Sequence, residues 1–110
     1  VFSGKDTVVY AALAVGATGS VCSIANICPE LVCGIYNEYV KGNTEKSLEL
    51  QYKLNPLRLS QDKWTFPTAT KLMMNLMGLE VGASILPLEI PPENIIEIMA
   101  EELRKADLLK

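Results

Sequence analysis

The sequence predicts an α/β fold that opens with a short parallel strand pair and continues as helices alone. Three observations predict it. Two strand-like segments, Val1–Gly4 (VFSG) and Gly19–Ile24 (GSVCSI), are separated by one amphipathic helix's worth of chain. A parallel pair needs such a crossover, a dozen or so residues long and usually helical. Neither segment has a further strand to pair with downstream, and from Gly42 onward the hydrophobic pattern is helical only. The expectation is therefore a mostly helical chain, with residues 1–41 reading β-α-β-α and residues 42–110 forming a helical region. Two strands alone make a marginal sheet, so the chain reads as the tail of a larger parallel α/β architecture, entered mid-strand at Val1.

Each element has a local reason. After the first strand, Asp6 can cap a helix that carries Val8, Val9, Ala12 and Leu13 and ends at Gly16. After the second, Asn26–Pro29 opens a helix, with Pro29 in the first turn where its missing donor costs nothing. Leu31, Val32, Ile35, Tyr36 and Tyr39 then recur at helical spacing through Val40, and Gly42 stops the run. Asn43 or Thr44 caps a segment reaching about Lys63, with Leu50, Leu54 and Leu57 on it and Trp64 beyond. Pro56 lies inside that segment and is expected to kink it. Thr65 and Pro67 start a further helix bearing Ala69, Leu72, Met73 and Leu76, closed by Gly78. Ala83–Pro91 (ASILPLEIP) is a proline-punctuated strap. Pro92 begins the last helix, where Ile95, Ile96, Met99 and Leu103 form a stripe opposite Glu97, Glu101 and Arg104.

Composition removes several function classes. The 110 residues carry a formal charge of −3 and no Lys/Arg run, which argues against a nucleic-acid surface. A spanning helix needs ~20 mostly apolar residues. The uncharged stretch Thr7–Pro29 is broken by Gly16, Thr18, Gly19, Ser20 and Asn26, so a buried α/β layer explains it better than a membrane span. No secretory signal pattern is present, and the expectation is a cytoplasmic protein. There is no histidine. That removes Ser-His-Asp triads, Cys-His dyads and imidazole acid–base chemistry from this chain in one step. Cys22, Cys28 and Cys33 form no CxxC pair and are expected to be small buried hydrophobes. No metal or organic cofactor is indicated. The methionines at helical spacing are expected to be core filler.

Taken in succession, a set of short motifs carries a resemblance. SGKD (Ser3–Asp6), GATGSVCSIANICPEL (Gly16–Leu31), the Lys41–Gly42 helix exit and KLNPL (Lys53–Leu57) come first. FPTATK (Phe66–Lys71), GLEVG (Gly78–Gly82), LPL (Leu86–Leu88) and LRKADLL (Leu103–Leu109) follow. Their order and spacing resemble the C-terminal portion of the dihydrodipicolinate synthase/N-acetylneuraminate lyase family along essentially the whole chain. The resemblance implies the last part of a (β/α)8 TIM barrel, with Val1–Gly4 and Gly19–Ile24 as its seventh and eighth strands and three further helices behind them. Such a barrel takes ~250 residues, so this chain would hold only its end. It also implies a class I lyase or aldolase, typically a homotetramer, that condenses or cleaves pyruvate or another 2-keto acid with an aldehyde. The Schiff-base lysine and the proton-transferring tyrosine of the family belong to strands upstream of Val1. On this reading the chain contains no catalytic residue and is inactive alone.

Substrate-contacting positions carry over individually. Catalytic groups of such barrels sit at the C-terminal ends of strands. Gly4 would allow close backbone approach of substrate, or simply let the strand turn. Val21 matches the position whose backbone carbonyl faces the keto acid; its side chain alone reads as barrel core. Asp6 and Ser23 match positions that contact the polyol tail in the sialic-acid branch, against local roles as a helix cap and a satisfied small residue. Thr7 stands where that branch has an acid, and Phe66–Lys71 departs from the Asn-Pro-x-Pro pattern of true dihydrodipicolinate synthases. The substrate therefore stays open among aspartate semialdehyde, 2-keto-3-deoxy sugar acids and sialic acid. Lys5 lies at the end of a strand but beside Asp6 in a wet loop, so it reads as a surface lysine. The competing expectation is a self-standing helical interaction module without catalytic activity, its apparent strands serving as buried linkers.

Overall fold

The computed structural model describes residues 1–109 and divides into two units, Val1–Arg58 and the stretch from Leu59 onward. In the first unit, β1 (Phe2–Ser3) and β2 (Gly19–Ser20) pair in parallel, Phe2 opposite Gly19 and Ser3 opposite Ser20. Backbone bonds from Thr18 N–H to the Val1 carbonyl (2.8 Å) and from Val21 N–H to the Ser3 carbonyl (2.8 Å) extend the ladder at both ends. The two segments are thus a parallel strand pair, as expected, and not the buried linkers of the competing reading. Both strands are nevertheless shorter than expected. The second was anticipated through Ile24, but Ser23–Asn26 winds into a 3₁₀ turn. The register is the reason: it sets Ser23 and Ile24 opposite Asp6 and Thr7, which already wind into the crossover turn, so the Ile24 N–H bonds to the Asp6 carboxylate instead (2.9 Å).

The crossover is a 3₁₀ turn, Asp6–Val8, running into α1 (Val9–Ala14). Asp6 does not cap this helix, contrary to expectation, because its side chain turns inward instead. An orphan amide at the start of α1, Tyr10 N–H, is satisfied by Gln51 Oε1 at 2.9 Å, from a helix forty-one positions further along. At its other end α1 stops on Gly16, whose φ of +97° suits glycine. There Gly16 N–H reaches the Leu13 carbonyl and Ala17 N–H the Ala12 carbonyl, closing a Schellman motif.

The next helix, α2 (Pro29–Val40), has the predicted bounds, with Pro29 in its first turn. It ends on Gly42 (φ +87°) by the same pair of bonds, Gly42 to Tyr39 and Asn43 to Glu38. Helix α3 (Thr44–Gln61) follows, running through Pro56 as one helical segment and stopping two residues short of Lys63. Val9, Leu13, Ile24, Ile27, Cys28, Ile35, Leu54 and Leu57 are buried. The Tyr10 and Tyr39 rings meet edge to face at 5.8 Å, tying α1 to α2. Ser47 Oγ donates to the Ile35 carbonyl at 2.7 Å, tying α2 to α3. Cys33 corrects an expectation: it is exposed, at an open cleft lined also by Phe2, Gly19 and Tyr36, whereas Cys28 is buried.

The second unit contains α4 (Thr68–Leu76), the strap and α5 (Glu93–Lys105). Ala69, Met73, Met99, Ala100 and Leu103 are buried, so the α5 stripe is centred on Met99 and Leu103, while Ile95 and Ile96 are half-buried. The strap is held by one face of α4. Thr68 Oγ1 donates to Ser84 Oγ (2.9 Å), Lys71 Nζ to the Ala83 carbonyl (2.7 Å) and Asn75 Nδ2 to the Gly82 carbonyl (2.9 Å). Trp64 Nε1 donates to the Glu89 carbonyl at 2.9 Å, further along the same strap. No helix among the described residues is long and apolar enough to cross a membrane.

Candidate functional site

The ends of β1 and β2 lead into two loops, Gly4–Asp6 and Val21–Ser23, which the parallel register sets side by side. Gly4 is exposed, its φ lies outside the left-handed region, and a Cβ built on it would meet nothing within 4 Å. Neither turn geometry nor crowding within the described chain requires glycine there. Val21 is 73% exposed, its amide bonded back to Ser3. Phe2, at the start of β1, is also exposed.

Asp6 and Ser23 are brought into direct contact. Asp6 is only 3% exposed, and its Oδ2 accepts from Ser23 Oγ (3.2 Å) and from Ile24 N–H (2.9 Å). Arg58 Nε, from α3, forms an ion pair with the same oxygen at 3.4 Å. A buried carboxylate is tolerable only with such compensation. Gln51, two helical turns earlier on α3, donates from Nε2 to the Asp6 backbone carbonyl (3.0 Å) and to Asn55 Oδ1 (2.8 Å). The Asp6 carboxylate therefore joins both strand-end loops to α3. Asn26 Nδ2, donating to the Ser23 carbonyl at 3.0 Å, steadies the second loop from its own far end.

Sequence reasoning missed Gln51 and Arg58. A signal was present: Ser47, Gln51, Leu54 and Arg58 recur at helical spacing, so polar residues share a face with a buried leucine. A stripe read by hydrophobicity alone passes over them.

The cysteines near this cluster are poorly suited to nucleophilic work. Burial pushes the Cys22 thiol up, opposed by its contact with Ser20 Oγ, with the Asp6 charge adding and Arg58 subtracting. Cys28 is pushed up to about 12, chiefly by burial and further by the charge of Glu30. Thiolate, the reactive form, is scarce at both near neutral pH. The lysines are equally unsuited to Schiff-base formation, which needs a desolvated amine or a neighbouring cation. Lys5, Lys41, Lys46, Lys53, Lys63 and Lys105 are exposed, and Lys71 is spent on the strap. Lys110 lies outside the described residues.

Comparisons with known proteins agree with this geometry. The family model described as "Dihydrodipicolinate synthetase family" matches residues 1–105. A 4-hydroxy-tetrahydrodipicolinate synthase of Clostridium tetani (strain Massachusetts / E88) is 36% identical over 100% of this chain and 37% of its own length. Among solved structures, the dihydrodipicolinate synthase of Thermotoga maritima superposes with a TM-score of 0.94 at 33% identity, over 99% of this chain and 37% of that one. A monomeric dihydrodipicolinate synthase variant gives 0.95 at 33% identity, over 99% and 36%. The chain thus spans little more than a third of the length of these relatives. Matched nearly end to end in sequence and in backbone, the chain belongs to the dihydrodipicolinate synthetase family.

Proposed function

We propose that the whole protein is a class I lyase or aldolase that condenses or cleaves pyruvate with an aldehyde, in the manner of the synthases it resembles. In this reading residues 1–41 are the last two βα units of a TIM barrel and residues 42–110 its helical C-terminal region. The Schiff-base lysine and the proton-transferring tyrosine are supplied by segments outside these residues, and the enzyme works as a homo-oligomer in the cytoplasm. Gly4, Val21 and Ser23 make up one sector of the substrate rim, with Asp6 buried behind them as the group that holds Ser23. Gly4 lets substrate approach the backbone, and the Val21 carbonyl faces the keto acid. Asp6 and Ser23 shape the side that receives the aldehyde-derived portion. Which aldehyde is used is left open.

The observation that carries this reading is the parallel register of β1 and β2. It sets two strand exits next to each other, the arrangement from which barrel enzymes build their sites. Reductive trapping tests the proposal. Full-length protein treated with pyruvate and borohydride is expected to gain a stable adduct on a lysine outside this chain, and residues 1–110 alone none. An adduct on Lys5, or none in the full-length protein, would overturn it.

A further inference from the structure

We propose that Arg58 is a positioning residue for the keto-acid site, acting through Asp6 on the loop Val21–Ile24. This rests on the function proposed above for what the loop contacts, but the mechanical link is independent of it. Arg58 Nε lies 3.4 Å from Asp6 Oδ2, and the same oxygen receives Ser23 Oγ and Ile24 N–H. Both partners of the ion pair are largely withdrawn from solvent, with side chains 16% and 5% exposed. Electrostatic attraction is little screened at such a site. The carboxylate cannot follow solvent; it stays where Arg58 and the two loop donors hold it.

Gln51 completes the clamp. Seven residues before Arg58, and so on the same side of α3, it grips the Asp6 carbonyl and the Tyr10 amide. Helix α3 therefore holds Asp6 by backbone and side chain together. The loop after β2 is then set at second hand: Ser23 and Ile24 hang on Asp6, and Val21, two residues before Ser23, is bonded to Ser3 at its other side. The consequence is that a residue of the helical region, remote in sequence from either strand exit, governs where the Val21 carbonyl and the Ser23 hydroxyl lie. Displacing a substrate-facing group by about 1 Å can cost on the order of a hundredfold in rate.

The test compares Arg58→Met and Arg58→Lys with the natural full-length protein by amide hydrogen exchange and by steady-state kinetics with pyruvate. In Arg58→Met, exchange across Val21–Ile24 is expected to rise about tenfold or more, with α4 and α5 unchanged, as for a local opening. Its kcat/KM should fall about tenfold to a hundredfold. Arg58→Lys keeps a charge opposite Asp6 without the planar fork and should recover part of both. Unchanged exchange at Val21–Ile24, or an equal rise throughout the protein, would overturn the clamp. A local rise with natural kcat/KM would overturn its part in the reaction. Natural protein that forms no pyruvate adduct would overturn the proposed function and with it that catalytic part, while the exchange pattern would still decide whether Arg58 holds the loop.

Discussion

Both units solve the same problem, an irregular segment that must be held in place by polar side chains of a helix, and they solve it in opposite media. In the first unit α3 holds the Asp6 loop through buried groups: Gln51, Arg58 and the carboxylate itself. In the second, α4 holds the strap at 82–84 through Lys71, Asn75 and Thr68, mostly at exposed carbonyls. Water can replace a broken bond at the strap. At Asp6 it cannot, and each lost partner leaves an uncompensated polar group in a dry place. The difference teaches where precision is invested: the buried clamp sits at the strand exits, the wet one beside α4.

Substitutions that probe this contrast should differ in size accordingly. Asp6→Ala removes a buried carboxylate that accepts from two donors and pairs with Arg58. Breaking one side of a buried ion pair costs about 3–5 kcal/mol, so denaturant unfolding should show a loss of that order. A loss below about 1 kcal/mol would mean that the pair is wetter than its geometry says. Gln51→Leu fits the space but abandons the Tyr10 amide and the Asp6 carbonyl; the same measurement should show a loss of about 1–3 kcal/mol. Lys71→Met keeps the aliphatic stem and gives up one bond to a carbonyl that solvent can reach. It should cost about 1 kcal/mol or less, with proteolytic nicking near Ala83 as the more sensitive readout. If Lys71→Met proved as damaging as Asp6→Ala, the division into a dry clamp and a wet one would fail.

Much of the fold was legible because its signals are local. Pro29 and Gly42 bracket α2, and Gly16 and Gly78 end α1 and α4, each by a backbone preference that needs no tertiary partner. The last helix ends instead on Asp107 at φ +58°, a residue with no glycine to announce it. Strand lengths were over-read, since a strand persists only as far as its neighbour's hydrogen bonds do, and β1 gives way to the crossover turn at Asp6, before it could pair with Ile24. The candidate site was half legible. Asp6 and Ser23 could be singled out from their place after each strand, but their mutual contact could not. Gln51 and Arg58 were hidden on a helix whose buried face is partly polar. Cys33 was misjudged because an apolar stripe states which residues share a side, not which side meets the core.

By itself the sequence determined the order of elements, the helix ends that glycine or proline marks, and the family, for these follow from backbone propensities and from motif succession read along one dimension. Only the tertiary structure decided that Asp6 faces inward, that α3 grips it at two points and that Cys28 rather than Cys33 is enclosed. Burial and pairing are properties of space. A carboxylate becomes a cap, a ligand or a clamp according to which donors the fold carries to within about 3 Å of it, and those donors lie tens of residues away along the chain.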